Sequence, residues 1–214
     1  MIKATFLLLA LAGFLSAAQA QDVEAGQKKA AMCIGCHGIA GYQATFPQVH
    51  KVPMIAGQGA GYITAALNAY ASGERKHPTM RGIATTLTEK DIADLSAFYE
   101  QQGKGNKAAP SEAAVTPPAQ VAELLTKGAC ASCHGANFNK PVAPNYPKVA
   151  GQHTDYLLVA LKSYQQGGSP LASRGNAIMA GQVKQFTPAE LKQIASYLGS
   201  LPGELQTVPQ SRFR

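Results

Sequence analysis

All four cysteines of this 214-residue chain lie in two copies of one pentapeptide, and this repeat constrains the fold more than any other feature. Cys33-Ile34-Gly35-Cys36-His37 recurs 97 residues later as Cys130-Ala131-Ser132-Cys133-His134. The spacing C-x-x-C-H is the attachment signature of c-type haem, because two thiols one helical turn apart can add to the two vinyl groups of one porphyrin. The next histidine is then held beneath the iron. The repeat predicts two covalently bound haem c groups, attached through Cys33, Cys36, Cys130 and Cys133, with His37 and His134 as proximal iron ligands.

Three other uses of a C-x-x-C pair are open. A thioredoxin-like dithiol belongs to a βαβ context, and no β-rich pattern surrounds either copy. A zinc site could draw ligands from both pairs, and two structural disulfides could form in an exported chain. None of the three explains a histidine at the same offset in both copies, so covalent haem is the favoured interpretation.

Residues 1–20 have the features of a secretory signal. Lys3 supplies the positive start, the apolar stretch runs from Ala4 to Ala18, and Ala18-Gln19-Ala20 is a small-x-small cleavage site. The stretch is too short for a membrane-spanning helix, and no later run approaches about 18 apolar residues. We expect export to the periplasm, where thioether attachment takes place in bacteria, and a mature chain that begins at Gln21; a retained N-terminal anchor is the alternative.

The charge of the chain does not favour nucleic-acid binding. The formal net charge is +7 over the full sequence, and cleavage of the signal leaves 18 basic and 12 acidic residues. Four haem propionates would lower the net charge to about +2 if all were ionised. No run of Lys or Arg is interleaved with aromatic residues.

The repeat extends beyond the cysteines. Ala56-Gly57-Gln58 matches Ala150-Gly151-Gln152, and a proline stands four residues before each glycine. An apolar stripe with the spacing i, i+3, i+4, i+7 follows each, which predicts an amphipathic helix. The two stripes are Ile63, Ala66, Leu67 and Tyr70, then Leu157, Ala160, Leu161 and Tyr164. Gly73 and Gly167 stand where these helices are predicted to end.

A final helix is predicted in each unit. It opens at Thr88 and at Thr187, where Thr187-Pro188-Ala189-Glu190 is a capping box and Thr88-Glu89-Lys90-Asp91 a weaker version. The corresponding apolar faces are Ile92, Leu95, Phe98 and Tyr99, then Leu191, Ile194, Tyr197 and Leu198.

The chain is therefore predicted to be all-α, with two homologous units of about 80 to 95 residues, each of three to four helices and no convincing strand. The first unit is placed at 21–104 and the second at 119–214. Residues 105–118 are predicted to form a linker, because Pro110, Pro117 and Pro118 disfavour helix formation.

The sixth iron ligand decides whether such a haem carries electrons or catalyses a reaction, since a carrier keeps both axial positions filled. Met80 and Met179 each stand eight residues before the capping threonine, so they occupy one column of the repeat. Met32 and Met54 have no methionine counterpart and are interpreted as packing residues. The matched pair predicts Met80 and Met179 as distal axial ligands, each in a loop between the second helix and the last.

Bis-histidine ligation is the competing arrangement, with His50, His77 or His153 as the sixth ligand. His77 stands three residues before Met80, so the same loop could turn it inward. None of the three has a counterpart in the other unit, which favours surface or hydrogen-bonded roles for them.

This combination resembles the dihaem cytochrome c4 family, in which a signal peptide precedes two class I cytochrome c domains, each with C-x-x-C-H, P-x-x-A-G-Q and a distal methionine. The resemblance covers nearly the whole mature chain and implies that each domain is a small helical bundle around its haem. It also implies that the carbonyls of Pro53 and Pro147 accept hydrogen bonds from Nδ1 of His37 and of His134. The second unit departs from the pattern, because its loop before Met179 is five residues longer and has no proline just before the methionine.

The resemblance further implies a soluble periplasmic carrier that moves electrons one at a time and is not an enzyme. The expected partners are a quinol-oxidising complex as donor and a terminal oxidase or another reductase as acceptor, and peripheral association with the membrane is left open. Two alternatives remain: a dihaem subunit of a dehydrogenase complex, and a dihaem enzyme such as a peroxidase or a thiosulfate-oxidising cytochrome.

Overall fold

The structure, a computed structural model, describes residues 21–104, 115–166 and 171–209. The predicted signal at 1–20, residues 105–114 of the predicted linker and Gly167 lie outside the described residues. The described ranges form two helical units, which confirms the all-α prediction. None of the helices in these ranges is both long and apolar enough to cross a membrane.

The first unit has five helices and one short strand pair. In chain order its elements are α1 (Val23–Lys29), α2 (Ala31–His37), β1 (Gln43–Ala44), β2 (His50–Lys51), α3 (Ala60–Ser72), α4 (Pro78–Ala84) and α5 (Glu89–Gln102). The strands are antiparallel, with Gln43 opposite Lys51 and Ala44 opposite His50.

The second unit repeats the helices without the strands over its described residues. Its elements are α6 (Ala119–Lys127), α7 (Cys130–His134), α8 (Thr154–Gln165), α9 (Ala177–Val183) and α10 (Pro188–Ser200). The prediction of three to four helices per unit was therefore wrong by one or two. Several of these helices span seven residues or fewer, which is too short for an apolar period to be read from sequence.

The ends of the long helices follow the predicted signals. Thr88 and Thr187 each accept a hydrogen bond from the backbone N–H three residues on, and the acidic side chain there accepts one back, so both capping boxes are present. Helix α3 ends at Gly73, which adopts the left-handed conformation at φ 84°.

The final helix forms the centre of each core. Helix α5 packs against α1 and α3, and α10 packs against α6 and α8. The predicted apolar faces of α5 and α10 are all buried, with Leu95 at 1% and Leu191 at 0% exposure. Each final helix thus presents a continuous apolar surface to the interior of its unit.

The crossing of α1 and α5 requires a glycine. A Cβ atom on Gly26 would lie 2.2 Å from the carbonyl oxygen of Asp94 in α5. We expect Gly26→Ala to lower the free energy of unfolding by about 1–3 kcal/mol, because the overlap outweighs the roughly 1 kcal/mol that alanine gains in helix propensity. Gly82→Ala in α4 is the matched control, since its Cβ would meet nothing within 4 Å. Denaturant unfolding followed by circular dichroism measures both, and equal stability of the two variants would contradict the prediction.

The two units are docked against each other. The backbone N–H of Lys76 donates to the carbonyl of Ser173 at 2.7 Å, and that of Gly175 donates to the carbonyl of Glu74 at 2.8 Å. The segment after α10 returns to the first unit, where the N–H of Gln206 donates to the carbonyl of Ala56 at 3.0 Å. This C-terminal segment therefore helps to join the units.

Candidate functional site

One continuous cavity of about 710 Å³ runs through both units and across the surface where they meet. All ten residues predicted for haem attachment, iron ligation or support of the histidines line it: Cys33, Cys36, His37, Pro53, Met80, Cys130, Cys133, His134, Pro147 and Met179. The apolar stripes of α3 and α8 form much of its wall. These stripes, predicted as the apolar faces of amphipathic helices, therefore face the cavity.

The short helices α2 and α7 present the cysteines. Each motif forms a single helical segment that ends at its histidine, so its two thiols are one turn apart. All four cysteines are unpaired thiols rather than disulfides. Burial raises the pKa of the Cys130 thiol to about 11 and also raises the pKa of Cys33. In the described ranges, no three His, Cys, Asp or Glu side chains are grouped as a metal-ion site would require.

Both motif histidines are oriented by a proline carbonyl. Nδ1 of His37 lies 2.8 Å from the carbonyl oxygen of Pro53, and Nδ1 of His134 lies 2.9 Å from that of Pro147. A carbonyl can only accept, so Nδ1 carries the proton and Nε2 offers its lone pair to the cavity. Burial lowers the pKa of both histidines, although the proline hydrogen bond acts in the opposite direction. Each imidazole is therefore neutral and prepared to bind a metal through Nε2.

The two methionines occupy equivalent positions in the short helices α4 and α9. Each is the third helical residue, and its backbone N–H donates to the residue that caps the helix, His77 for Met80 and Asn176 for Met179. The sequence placed both methionines in loops, which the structure corrects. The capped turn holds each methionine backbone in a defined place beside the cavity.

The alternative histidine ligands differ in where they lie. His50 and His77 line the cavity, whereas His153 does not. His50 is held by a hydrogen bond from Nδ1 to the carbonyl of Gln48 at 2.8 Å, and His77 caps α4. Among the described residues of the second unit, His134 is the one histidine on the cavity wall. This arrangement favours histidine–methionine ligation over two histidines.

Two arginines, Arg75 buried and Arg174 half-buried, lie where the two units meet and are absent from the predicted site. Arg75 and Arg174 form an isolated antiparallel bridge, and Nη2 of each donates to the hydroxyl of Tyr156, at 2.7 and 3.1 Å. No carboxylate of the described residues pairs with either guanidinium, and Nε of Arg75 is buried without a partner. Their sequence signal was available, because each stands five residues before its methionine.

The arginines create a strongly positive corner in the cavity wall. Burial by itself raises the pKa of Tyr156, but the charges of Arg174 and Arg75 outweigh it and lower the pKa to about 8. Buried cations without a counter-ion are costly, so this corner fits a ligand that brings carboxylates. Apolar walls, two neighbouring thiols, a neutral histidine, a methionine and guanidiniums without a carboxylate partner together match the chemistry of a porphyrin with two acidic side chains.

Comparison with known proteins agrees with this geometry. The cytochrome c family model matches residues 23–102 and 119–202. The chain is 29% identical to cytochrome c4 of Azotobacter vinelandii, over 94% of this chain and 100% of that protein. It is also 29% identical to the thiosulfate dehydrogenase electron acceptor of Stutzerimonas stutzeri strain A1501, over 94% of this chain and 93% of the relative.

A solved structure shows the same two-domain architecture. The crystal structure of reduced recombinant cytochrome c4 from Pseudomonas stutzeri superimposes with a TM-score of 0.64 at 27% identity, covering 86% of this chain and 100% of that one. Tandem domains of this type carry two covalently bound haem c groups. The chain thus belongs to the cytochrome c family, as a two-domain member of the dihaem cytochrome c4 type.

Proposed function

We propose that the chain is a periplasmic carrier that receives electrons from a quinol-oxidising complex and delivers them to a terminal oxidase or another reductase. The comparisons support the coarser statement that it is a dihaem c-type electron carrier. The observation that carries the proposal is that one cavity is lined by His37 and Met80 in the first unit and by His134 and Met179 at equivalent positions in the second. Two redox sites inside one docked molecule suit a shuttle that takes up and releases electrons singly.

The residue roles follow from the geometry. The thiols of Cys33, Cys36, Cys130 and Cys133 would hold the porphyrins, and His37 with Met80, and His134 with Met179, would close both axial positions of each iron. The haem domains are proposed to span 21–104 and 119–214, with 105–118 as the linker. Export with cleavage after Ala20 would place the protein in the periplasm.

Bound haem supplies an iron that exchanges one electron without making or breaking bonds. The chain excludes water with the apolar stripes of α3 and α8, and a methionine sulfur favours the ferrous state. Arg75 and Arg174 would pair with porphyrin carboxylates at the junction of the units. With both axial positions filled, substrates could not reach the metal, so enzymatic activity is not expected.

A second candidate concerns the electron donor. One relative is named as the electron acceptor of thiosulfate dehydrogenase, so a periplasmic dehydrogenase could serve as the donor in place of the quinol-oxidising complex. The chain would then act as the haem-bearing partner of that enzyme, with the same two sites.

A potentiometric titration of protein released from the periplasm tests the proposal. We expect two haems per chain by pyridine haemochrome assay, two one-electron steps, low-spin spectra in both oxidation states and no carbon monoxide binding to the reduced protein. One haem per chain, or one haem that binds carbon monoxide in native protein, would contradict the carrier function and favour a dihaem enzyme.

A further inference from the structure

The glutamines of the two A-G-Q repeats cross from one unit to the other. Oε1 of Gln152 accepts from the backbone N–H of Met54 at 3.0 Å, and its Nε2 donates to the carbonyl of Met54 at 2.9 Å. Gln58 makes the same pair of bonds to Lys148, at 2.9 and 3.0 Å. Both glutamines are 4% exposed. Each side chain thus forms two hydrogen bonds with the backbone of one residue in the opposite unit, and the two pairs of bonds are equivalent.

Met54 and Lys148, the residues bonded by the glutamines, directly follow the prolines that orient the histidines. The N–H of Met54 and the carbonyl of Pro53 belong to one planar peptide group, and that carbonyl accepts from Nδ1 of His37 at 2.8 Å. The peptide between Pro147 and Lys148 likewise joins His134 to Gln58. A chain of two hydrogen bonds through one peptide therefore links each proximal histidine to the glutamine of the other unit.

Such a chain is cooperative. When an acceptor polarises a peptide N–H, electron density shifts through the amide towards its carbonyl oxygen, which becomes more negative and accepts more strongly. The burial of both glutamines keeps water from replacing them. A stronger bond at Nδ1 makes the imidazole a better electron donor through Nε2, which favours the ferric state of a bound iron.

We propose that Gln58 and Gln152 are positioning residues that act crosswise, each tuning the proximal histidine and the reduction potential of the haem in the opposite unit. The inference rests on the axial roles proposed above for His37 and His134. It makes the potential of each haem depend on the docking of the units, so separation of the units would raise both potentials together.

The test is the crossed pair of variants Gln152→Met and Gln58→Met, each a control for the other. We expect Gln152→Met to raise the potential of the first haem and to shift the Nδ1 proton resonance of His37, with smaller changes at the second haem. Gln58→Met should raise the potential of the second haem and shift the Nδ1 proton resonance of His134, with smaller changes at the first haem. A redox titration followed by NMR, with the resonances of the two haems resolved, measures both effects.

Gln165→Met is the matched control for the same chemical change. Nε2 of Gln165 donates to the carbonyls of Val183 and Phe186 within the second unit, at 2.8 and 2.7 Å, and neither is a proline peptide. This variant should leave both histidine proton resonances in place. Shifts confined to the mutated unit, equal shifts at both haems of a variant whose units remain docked, or no shift in either crossed variant would overturn the inference.

Gln152→Glu keeps the test decisive if the methionine variants undock. Its carboxylate is a stronger acceptor for the N–H of Met54 than the amide oxygen, so the resonance of His37 should move in the direction opposite to that in Gln152→Met. Movement in the same direction would refute the inference. Native protein with two low-spin haems but no crossed effect would reject the glutamine role alone, whereas native protein without two such haems would reject the carrier function as well.

Discussion

Haem-free protein in which alanine replaces Cys33, Cys36, Cys130 and Cys133 is expected to be largely unfolded at 25 °C. The cavity of about 710 Å³ would be left empty between the helices. The apolar side chains that line it would lose their packing partner, and at about 1.5–3 kcal/mol for each large side chain no longer buried, the loss is comparable with the roughly 5–15 kcal/mol that stabilises a whole domain. The walls cannot close on the space without losing the core that they form with α5 and α10.

Far-UV circular dichroism during a thermal scan measures this effect. The control is Cys33→Ala alone, which leaves one thioether and His37 on the first haem and should keep a cooperative melt. A cooperative, native-like transition in the haem-free quadruple variant would show that the polypeptide folds around the cavity by itself, contrary to the prediction.

Replacement of Met80 by alanine is expected to lower the reduction potential of the first haem by about 0.1 V or more, within the roughly 0.8 V range that axial ligands and their surroundings set. It should also allow carbon monoxide to bind to the reduced first haem, because the sixth position loses its sulfur. Met179→Ala should have the same effects on the second haem, since α4 and α9 hold their methionines in the same way.

Met32→Ala is the control for these variants. Met32 borders the cavity but is 44% exposed and has no methionine counterpart in the repeat. The reduction potential and ligand binding of the first haem should therefore be unchanged in this variant. Optical titration and carbon monoxide difference spectra measure the outcome. An unaltered potential with no carbon monoxide binding in Met80→Ala would refute the assignment. A lower potential without binding would indicate that His77 takes the empty position, and the Met80→Ala, His77→Ala double variant would then bind carbon monoxide.

Much of the site could be predicted because its signals are local. The two C-x-x-C-H motifs indicate covalent haem attachment within five residues, and the stripes of α3 and α8 indicate which helix faces are apolar. The equivalence of Met80 and Met179 was visible because the two units could be aligned with each other. The capping boxes at Thr88 and Thr187 depend on neighbours three residues apart, and both are present.

Other features could not be read from the sequence. Helices α4 and α9 are too short for periodicity, so the methionines were placed in loops. Arg75 and Arg174 looked like ordinary charged residues, because burial depends on the opposite unit. The A-G-Q motif was visible as a repeat, but nothing in three residues shows that its glutamine bonds to a backbone ninety or more positions away.

The sequence by itself determined the cofactor chemistry and the tandem repeat, and it predicted the residues offered to each iron, because covalent attachment and helix periodicity act over a few positions. The tertiary structure alone decided how the units dock, where the guanidiniums of Arg75 and Arg174 meet and which backbone residue each glutamine is hydrogen-bonded to. Hydrogen bonds between distant segments leave no local pattern, since the same side chains could bond equally well to water until folding buries them.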